Sequence, residues 1–309
     1  MTSARPGYNL RVMGALGIVY VVWGSTYLAI RVMVEGLPPL LAGGIRFVVA
    51  GMILGVALTA QGGIRRFAVE RRELLGAAAV GIALLAAGNG GINTAEQRVP
   101  SSLAALGAAS IPLWVVVFRA LAHERVTRGT MGGVALGFAG VAVLASQGEG
   151  GSVDAGAMAI LVVACACWAA GTFASSRIPM PRDPLVSTAV EMLAGGLVLL
   201  LAAAILEPGG LPAHVETRSW LALGYLVAFG SLLAFTAYTW LLAHAPVSQV
   251  ATYAYVNPVI ALVLGWAILS EPLTPFLLAG AVLVLVAVAV VIRHEARQLP
   301  RSLAAEEAA

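Results

Sequence analysis

The chain is 309 residues long, and 60% of its residues are hydrophobic whereas only 11% carry a charge. Soluble globular domains carry a charge on about a quarter of their residues, so this composition excludes a soluble domain and predicts a protein that lies mostly in a lipid bilayer. The sequence contains no lysine, so all of its basic residues other than histidine are arginines, and the formal net charge is +3. We expect no nucleic-acid partner.

Apolar runs, each about as long as the roughly 20 residues that cross a bilayer, follow one another along the chain. Prolines and glycines interrupt the sequence where each run stops. The first run is too long for a signal peptide, and we interpret it as a retained helix. The sequence therefore predicts an all-α integral membrane protein with ten transmembrane helices, at approximately 12–31, 39–59, 74–92, 101–121, 129–146, 155–175, 184–206, 219–242, 248–269 and 275–293.

The distribution of arginine predicts the orientation in the membrane. Thirteen of the 18 arginines lie in the two terminal segments and in the loops that ten spans place on the same side. Only Arg31, Arg98 and Arg218 lie in the opposite loops. Because cytoplasmic loops carry the excess of positive charge, both termini are predicted to be cytoplasmic.

One stretch of the sequence occurs twice. Residues 99–127 are similar in sequence to residues 245–274, with one residue inserted near the end of the second copy. The two segments read VPSSLAALGAASIPLWVVVFRALAHERVT and APVSQVATYAYVNPVIALVLGWAILSEPLT. Matches in register at this separation indicate a duplicated structural unit. The matching pairs include Pro100 and Pro246, Ser102 and Ser248, Pro112 and Pro258, Glu124 and Glu271, and Thr127 and Thr274.

This duplication predicts two five-helix units, residues 1–147 and residues 148–309, the second ending in a cytoplasmic tail. Five spans is an odd number, so the second unit enters the membrane from the side opposite to the first. The two repeats are then inverted, as in many secondary transporters. The alternative is a duplication that only helps a membrane bundle to fold.

Three features resemble the EamA-type exporters of the drug/metabolite transporter superfamily: the run TYAYVNPVIALVLGWAILSEPLTPFLLAGAVLVL, the segment VVWGSTYLAIRV in the first span, and the repeat. The resemblance covers about residues 10–295. It implies a ten-helix inner-membrane carrier that exports amino acids, related metabolites or drugs. It also implies a central cavity lined mainly by the first, third, fourth, sixth, eighth and ninth helices. Small multidrug members carry a carboxylate in the first helix that this chain lacks, so their proton-antiport mechanism is not carried over, and the proton is only a candidate coupling ion.

Polar and aromatic side chains form stripes at helical spacing in five of the predicted spans. Amide groups that face hydrocarbon are costly, so these stripes should face protein or water. They either line a cavity or join helices to one another. On the first interpretation, the predicted substrate-binding residues are Trp23, Ser25, Tyr27, Asn89, Trp168, Thr172, Tyr238, Tyr253 and Asn257.

Pro112 and Pro258 are predicted hinges, because a proline within a helix removes a hydrogen bond and favours a kink. A static kink is the alternative, and the matching positions in the two repeats favour a hinge in each half.

Two charged residues lie well inside predicted spans, Arg46 in the second and Glu191 in the seventh. A charge at such a depth costs roughly 2.5–3.5 kcal/mol on insertion scales, which makes each residue a candidate for function or pairing. The alternative is that each side chain reaches the nearer membrane interface.

Catalytic triads, phosphate-binding loops and metal-ligand clusters are absent from the sequence at useful spacing, so no cofactor, no metal and no enzymatic activity are predicted. We predict a secondary-active exporter of small amphipathic solutes that works by alternating access. A membrane-embedded enzyme and a passive channel are the alternatives. The glycine pairs Gly51/Gly55 and Gly133/Gly137 are small-residue seams, either for internal packing or for a weak homodimer in place of a monomer.

Overall fold

The computed structural model describes residues 10–146, 154–245 and 247–306, and within these ranges the chain forms helices and no β strand. A short 3₁₀ helix, Ile64–Phe67, follows the second long helix. The long helices are α1 (Leu10–Gly36), α2 (Pro39–Gly62), α3 (Arg71–Ala95), α4 (Ser101–Leu121), α5 (Arg128–Ala145), α6 (Ala155–Ser175), α7 (Pro184–Leu206), α8 (217–244), α9 (247–269) and α10 (Pro275–Glu306).

In the described part of the chain, nine helices are long and apolar enough to cross a membrane, and the main segment of α9, Tyr253–Leu269, is shorter. That segment rises roughly 26 Å at 1.5 Å per residue, close to the hydrocarbon thickness of a bilayer. The prediction of a ten-helix, all-α membrane protein is therefore confirmed. Pro246, the glycines at 148, 150 and 151 that separate the fifth and sixth runs, and the junction of the two predicted units at 147/148 lie outside the described residues.

Two helices are interrupted by a turn. In α4 the turn at 109–110 separates Ser101–Ala108 from Ile111–Leu121, and Pro112 stands at the start of the second segment. A proline in the first turn of a helix is well tolerated, because the amide it lacks would have no partner there. In α9 the turn lies at 251–252, whereas Pro258 stands inside the continuous segment that follows. The two prolines that match in sequence thus occupy different local structures, and their role as hinges stays a prediction.

Both α3 and α8 contain eight residues of π-helix, Ile82–Asn89 and Leu226–Leu233. The two stretches begin 144 positions apart, so they occupy matching places in the two halves. π-Helical segments of this kind are frequent at functional sites, because the extra residue per turn rotates the side chains that follow. No feature of the sequence had indicated them.

The helix contacts follow a regular pattern. α2 packs along α7 and α5 along α10, while α1 contacts α8 and α9 in the way that α6 contacts α3 and α4. A Cβ added at Gly133 would lie 2.9 Å from the side chain of Val291 on α10, and one at Gly51 would lie 3.0 Å from Leu193 on α7. In this chain Gly51 and Gly133 therefore serve close helix contacts within one copy.

The threonines that close each copy of the repeated stretch start the helices that follow. Thr127 Oγ1 accepts a hydrogen bond of 3.2 Å from the amide of Thr130 at the start of α5. Thr274 Oγ1 accepts one of 3.1 Å from the amide of Leu277 at the start of α10. Each threonine satisfies an amide that the first helical turn leaves without a partner, which gives this part of the repeat a structural role.

Candidate functional site

A cavity of about 460 Å³ lies between α1, α2, α3, α4, α6, α7, α8 and α9. Its size is within the range of cavities that hold metabolites or drugs. The resemblance implied six of these helices as the main lining, and the structure adds α2 and α7. These two helices contribute Arg46 and Glu191 to the cavity wall.

The cavity is open at one end of the bundle. At the end where α6 leads into α7, the lining residues Thr172, Pro184 and Leu242 are exposed. At the opposite end, the lining residues Ile30 and Ile92 are buried. The open end is the one that the arginine distribution predicts to face the cytoplasm.

An aromatic group joins three helices at the cavity wall. The ring of Trp23 on α1 lies 5.3 Å from Phe235 and 5.1 Å from Tyr238 on α8, and 5.2 Å from Tyr253 on α9, measured between centroids. Trp23 Nε1 also donates a hydrogen bond of 3.2 Å to the carbonyl oxygen of Gly230 in the π-helical stretch of α8. All four rings line the cavity, so they offer a solute flat apolar faces with polar edges.

The structure brings most of the predicted substrate-binding residues together. Asn89 and Asn257 are 8% and 6% exposed, and the side-chain carbonyl oxygen of each is buried without a hydrogen-bond partner. A buried acceptor without a partner is costly, so a solute that donates a hydrogen bond there would bind favourably. The predicted residues that line the cavity are Trp23, Tyr27, Asn89, Trp168, Thr172, Tyr238, Tyr253 and Asn257.

The position of Ser25 differs from the prediction. Its hydroxyl donates to the carbonyl oxygen of Val22 at 2.9 Å and lies 2.6 Å from the hydroxyl of Tyr225 on α8. Residues two apart on a helix point to nearly opposite faces, so Ser25 turns away from the cavity that Trp23 and Tyr27 line. Ser25 thus joins α1 to α8.

Arg46 is enclosed by protein and is 3% exposed. Its Nε donates a hydrogen bond of 3.0 Å to Ser231 Oγ in the π-helical stretch of α8, while its Nη1 is buried without a hydrogen-bond partner. A side chain that reached the membrane interface would be solvated there, so this burial favours the functional interpretation. Arg46 presents part of a guanidinium group to the cavity.

Glu191 brings a carboxyl group to the same cavity. Its Oε1 accepts a hydrogen bond of 2.7 Å from Ser187 Oγ, one turn earlier on α7. α2 and α7 pack antiparallel, with Gly44 against Leu200 and Gly51 against Leu193, so Arg46 and Glu191 lie at different depths of the same cavity. The cavity thus offers a guanidinium and a carboxyl group at two different levels.

Sequence reasoning overlooked Glu96, the residue directly after α3. It is fully buried, both of its carboxylate oxygens have no hydrogen-bond partner, and the guanidinium of Arg31 donates to its main-chain carbonyl. The available signal was an acidic residue three positions after Asn93, at the end of an apolar run. The residues that the structure describes contain no group of three or more His, Cys, Asp or Glu side chains arranged to hold a metal.

A bundle of membrane-spanning helices around one central cavity, closed at one end and lined by charged, amide and aromatic groups, is the architecture of a solute carrier. Comparison with known families identifies the family of carriers to which the chain belongs. The EamA-like transporter family matches the chain twice, at residues 12–146 and 155–293. The chain belongs to this family and thus to the drug/metabolite transporter superfamily.

Similar proteins occur in several bacteria. The chain is 40% identical over 266 residues to the uncharacterized inner membrane transporter YedA of Escherichia coli (strain K12), covering 86% of this chain and 85% of YedA. It is 30% identical to Protein PecM of Dickeya dadantii, over 87% of this chain and 88% of PecM. It is 29% identical to the probable amino-acid metabolite efflux pump of Salmonella typhimurium, over 87% of this chain and 90% of the pump.

The fold is also similar to a solved structure described only as the crystal structure of a protein. The TM-score is 0.62 at 21% sequence identity, and the match covers 91% of this chain and 96% of the other. At that identity the likeness concerns the fold alone.

Proposed function

We propose that this chain is a secondary-active exporter of small amphipathic metabolites in a bacterial inner membrane, with amino acids and their relatives as the first substrate class. The observation that carries the proposal is one aromatic-lined cavity whose wall holds the guanidinium of Arg46 and the carboxyl group of Glu191. An α-amino acid has a carboxylate, an ammonium group and a side chain for the aromatic rings. The names of YedA and of the Salmonella pump support the membrane and the substrate class.

Alternating access is the proposed mechanism. Two family matches in one chain, matching π-helical stretches, and helix contacts that repeat between the halves all support a pair of inverted repeats. Two nearly equivalent halves can exchange an inward-open form for an outward-open one around the same cavity. The protein works as a monomer or weak homodimer with a small-molecule solute, and the proton is the candidate coupling ion.

Drugs are a second substrate class that an aromatic cavity suits. A passive channel is disfavoured by the buried end of the cavity, and an enzyme is disfavoured by membership of a transporter family.

The test is solute counterflow in proteoliposomes that contain the purified full-length chain. Vesicles are loaded with one unlabelled neutral amino acid, and entry of the same radiolabelled amino acid is followed, with phenylalanine, leucine and threonine tested in turn. A carrier should accelerate entry of label when the solute is present inside. Entry that is indifferent to internal solute would indicate a channel, and conversion of the label to a product would indicate an enzyme. Protein-free liposomes are the control.

The predicted orientation has its own test. We expect a reporter enzyme that is active only in the periplasm to be silent when fused after Ala309, and active when fused in the loop between α7 and α8. The reason is the excess of arginine on the side that carries both termini. The opposite pattern of activity would contradict cytoplasmic termini.

A further inference from the structure

The carboxylate of Glu271, just after α9, binds the first two residues of α4. Its Oε1 accepts hydrogen bonds from the amide and the hydroxyl of Ser101, at 2.7 and 2.8 Å. Its Oε2 accepts from the amide and the hydroxyl of Ser102, at 3.0 and 2.6 Å. All four partners are donors, two of them are amides that a helix start leaves free, and the negative charge faces the positive end of α4. Glu271 is 8% exposed, so this contact is shielded from solvent.

This contact closes one end of the cavity. Ala105, one turn after Ser101 on α4, lines the cavity and is fully buried. Because Glu271 ties the start of α4 to the end of α9, it prevents these two helices from separating at this end. The opposite end, where Thr172 and Leu242 are exposed, is open.

The repeat supplies a second carboxylate in the equivalent place. Glu124 follows α4 as Glu271 follows α9, and the sequence counterparts of Ser101 and Ser102 are Val247 and Ser248 at the start of α9. At the open end, however, arginines hold both oxygens of Glu124. Oε2 accepts a hydrogen bond of 2.7 Å from Arg119 Nε, and Oε1 accepts from the guanidinium of Arg177 at the end of α6.

These arginines hold the pKa of Glu124 below its usual range, so the group is charged at neutral pH and able to bind a helix start. The groups around it are Arg119 on α4, Arg177 after α6, and Glu295 on α10, which also pairs with Arg119. The closed end and the open end of the same structure thus show matched glutamates in two different arrangements.

We propose that Glu271 and Glu124 are alternating gate latches. In the form described here, Glu271 binds the start of α4 and closes the outer end. In the opposite form, Glu124 leaves its arginines and binds the start of α9 at Val247 and Ser248, which closes the inner end while Glu271 releases α4. Both glutamates are positioning residues, because they act through α4 and α9 and do not contact the solute. This inference rests on the alternating access proposed above.

The experiment measures accessibility and needs no solute. Ala105→Cys is introduced in a full-length chain whose two native cysteines are replaced, Cys165→Ala and Cys167→Ala. A membrane-impermeant maleimide is added to intact cells, and to inside-out vesicles in parallel. We expect Glu271→Gln to raise labelling from outside about tenfold, the effect of losing one charge-assisted hydrogen bond. Glutamine has an NH₂ group in place of one carboxylate oxygen. That group cannot accept a hydrogen bond from the backbone amide it faces, and the backbone amide cannot rotate away.

The opposing latch provides the decisive comparison. We expect Glu124→Gln, added to Glu271→Gln, to return labelling toward the unmodified level, because it weakens the outward-open form that Glu271→Gln favours. The double variant Ser101→Ala, Ser102→Ala keeps the hydrogen bonds from both backbone amides to Glu271. It should raise labelling from outside, as Glu271→Gln does, but by a smaller factor. Membrane abundance is measured for each variant.

Glu207→Gln is the matched control. Glu207 accepts hydrogen bonds of 2.9 Å from the amides of Leu40 and Leu41 at the start of α2, so it repeats the chemistry of Glu271 at the same end of the bundle. Its removal should leave labelling of Cys at position 105 unchanged. Equal labelling in Glu271→Gln and unmodified protein, or a further rise in the double variant, would overturn the latches. If counterflow fails while the labelling pattern is as expected, the proposal of solute transport is refuted and the proposal of the two latches is retained.

Discussion

Replacing Arg46 by Gln should lower transport affinity for solutes that carry a carboxylate by about 10- to 150-fold, the effect of losing one hydrogen bond to a charged group, worth about 1.5–3 kcal/mol. The physical reason is that the buried Nη1 of Arg46, a residue that lines the cavity, has no hydrogen-bond partner. The same change should affect the methyl ester of the same solute much less. Arg46→Lys should be intermediate, because lysine keeps the charge and loses the planar fork.

The measurement is counterflow in proteoliposomes with an amino acid and its ester compared at equal protein density. Arg72→Gln, a change of the same chemistry at an exposed site at the start of α3, is the matched control and should leave both affinities unchanged. Equal losses for the acid and the ester would mean that Arg46 supports the packing around Ser231 and does not bind the solute.

The second large effect concerns the two tryptophans. Trp23→Ala should destabilise the protein by about 3–5 kcal/mol, because the ring packs against three others and links α1 to α8 and α9. Trp168→Ala should leave stability nearly intact and weaken transport of aromatic solutes by about 0.5–1.5 kcal/mol, or 2- to 13-fold, since Trp168 lines the cavity from α6. Thermal denaturation in detergent reports the first effect and counterflow the second.

Trp23→Phe separates packing from hydrogen bonding. This variant retains an aromatic ring, so most of the stability lost in Trp23→Ala should return, although the donor to the carbonyl oxygen of Gly230 is removed.

The outcome that would contradict the role of Trp168 is a loss of membrane abundance in Trp168→Ala in step with the loss of transport. Trp168 would then be part of the packing and would no longer count among the binding residues.

Some parts of the fold followed from composition alone. The predicted bounds of the sixth and seventh spans, 155–175 and 184–206, agree with those of α6 and α7. Long apolar runs between prolines leave few alternatives in a bilayer, because a spanning segment must satisfy its own backbone hydrogen bonds. The turn at 251–252 in α9 was not predicted, since it lies six residues before Pro258, the residue expected to mark a break.

The candidate site was predictable in part. Trp23 and Tyr27 both line the cavity because their spacing of four places them on one helix face, whereas Ser25, two residues from each, contacts Tyr225 on α8. The sequence signal for Glu96 was weak, because a charged residue after an apolar run usually marks a solvated loop. Only the packing of α3 against its neighbours encloses it.

The sequence by itself determined the membrane location, the number of spans, the duplicated stretch and the residue types available to a cavity, because hydropathy, periodicity and repetition are properties of the chain. The tertiary structure alone decided which face of each helix turns inward, that Ile82–Asn89 and Leu226–Leu233 wind as π-helix, and that Glu271 binds α4 while Glu124 binds arginines. These outcomes depend on contacts between helices far apart in sequence. Under the alternating access proposed above, the two halves can pack in either of two ways, so the sequence of one half cannot state which end of the bundle is closed.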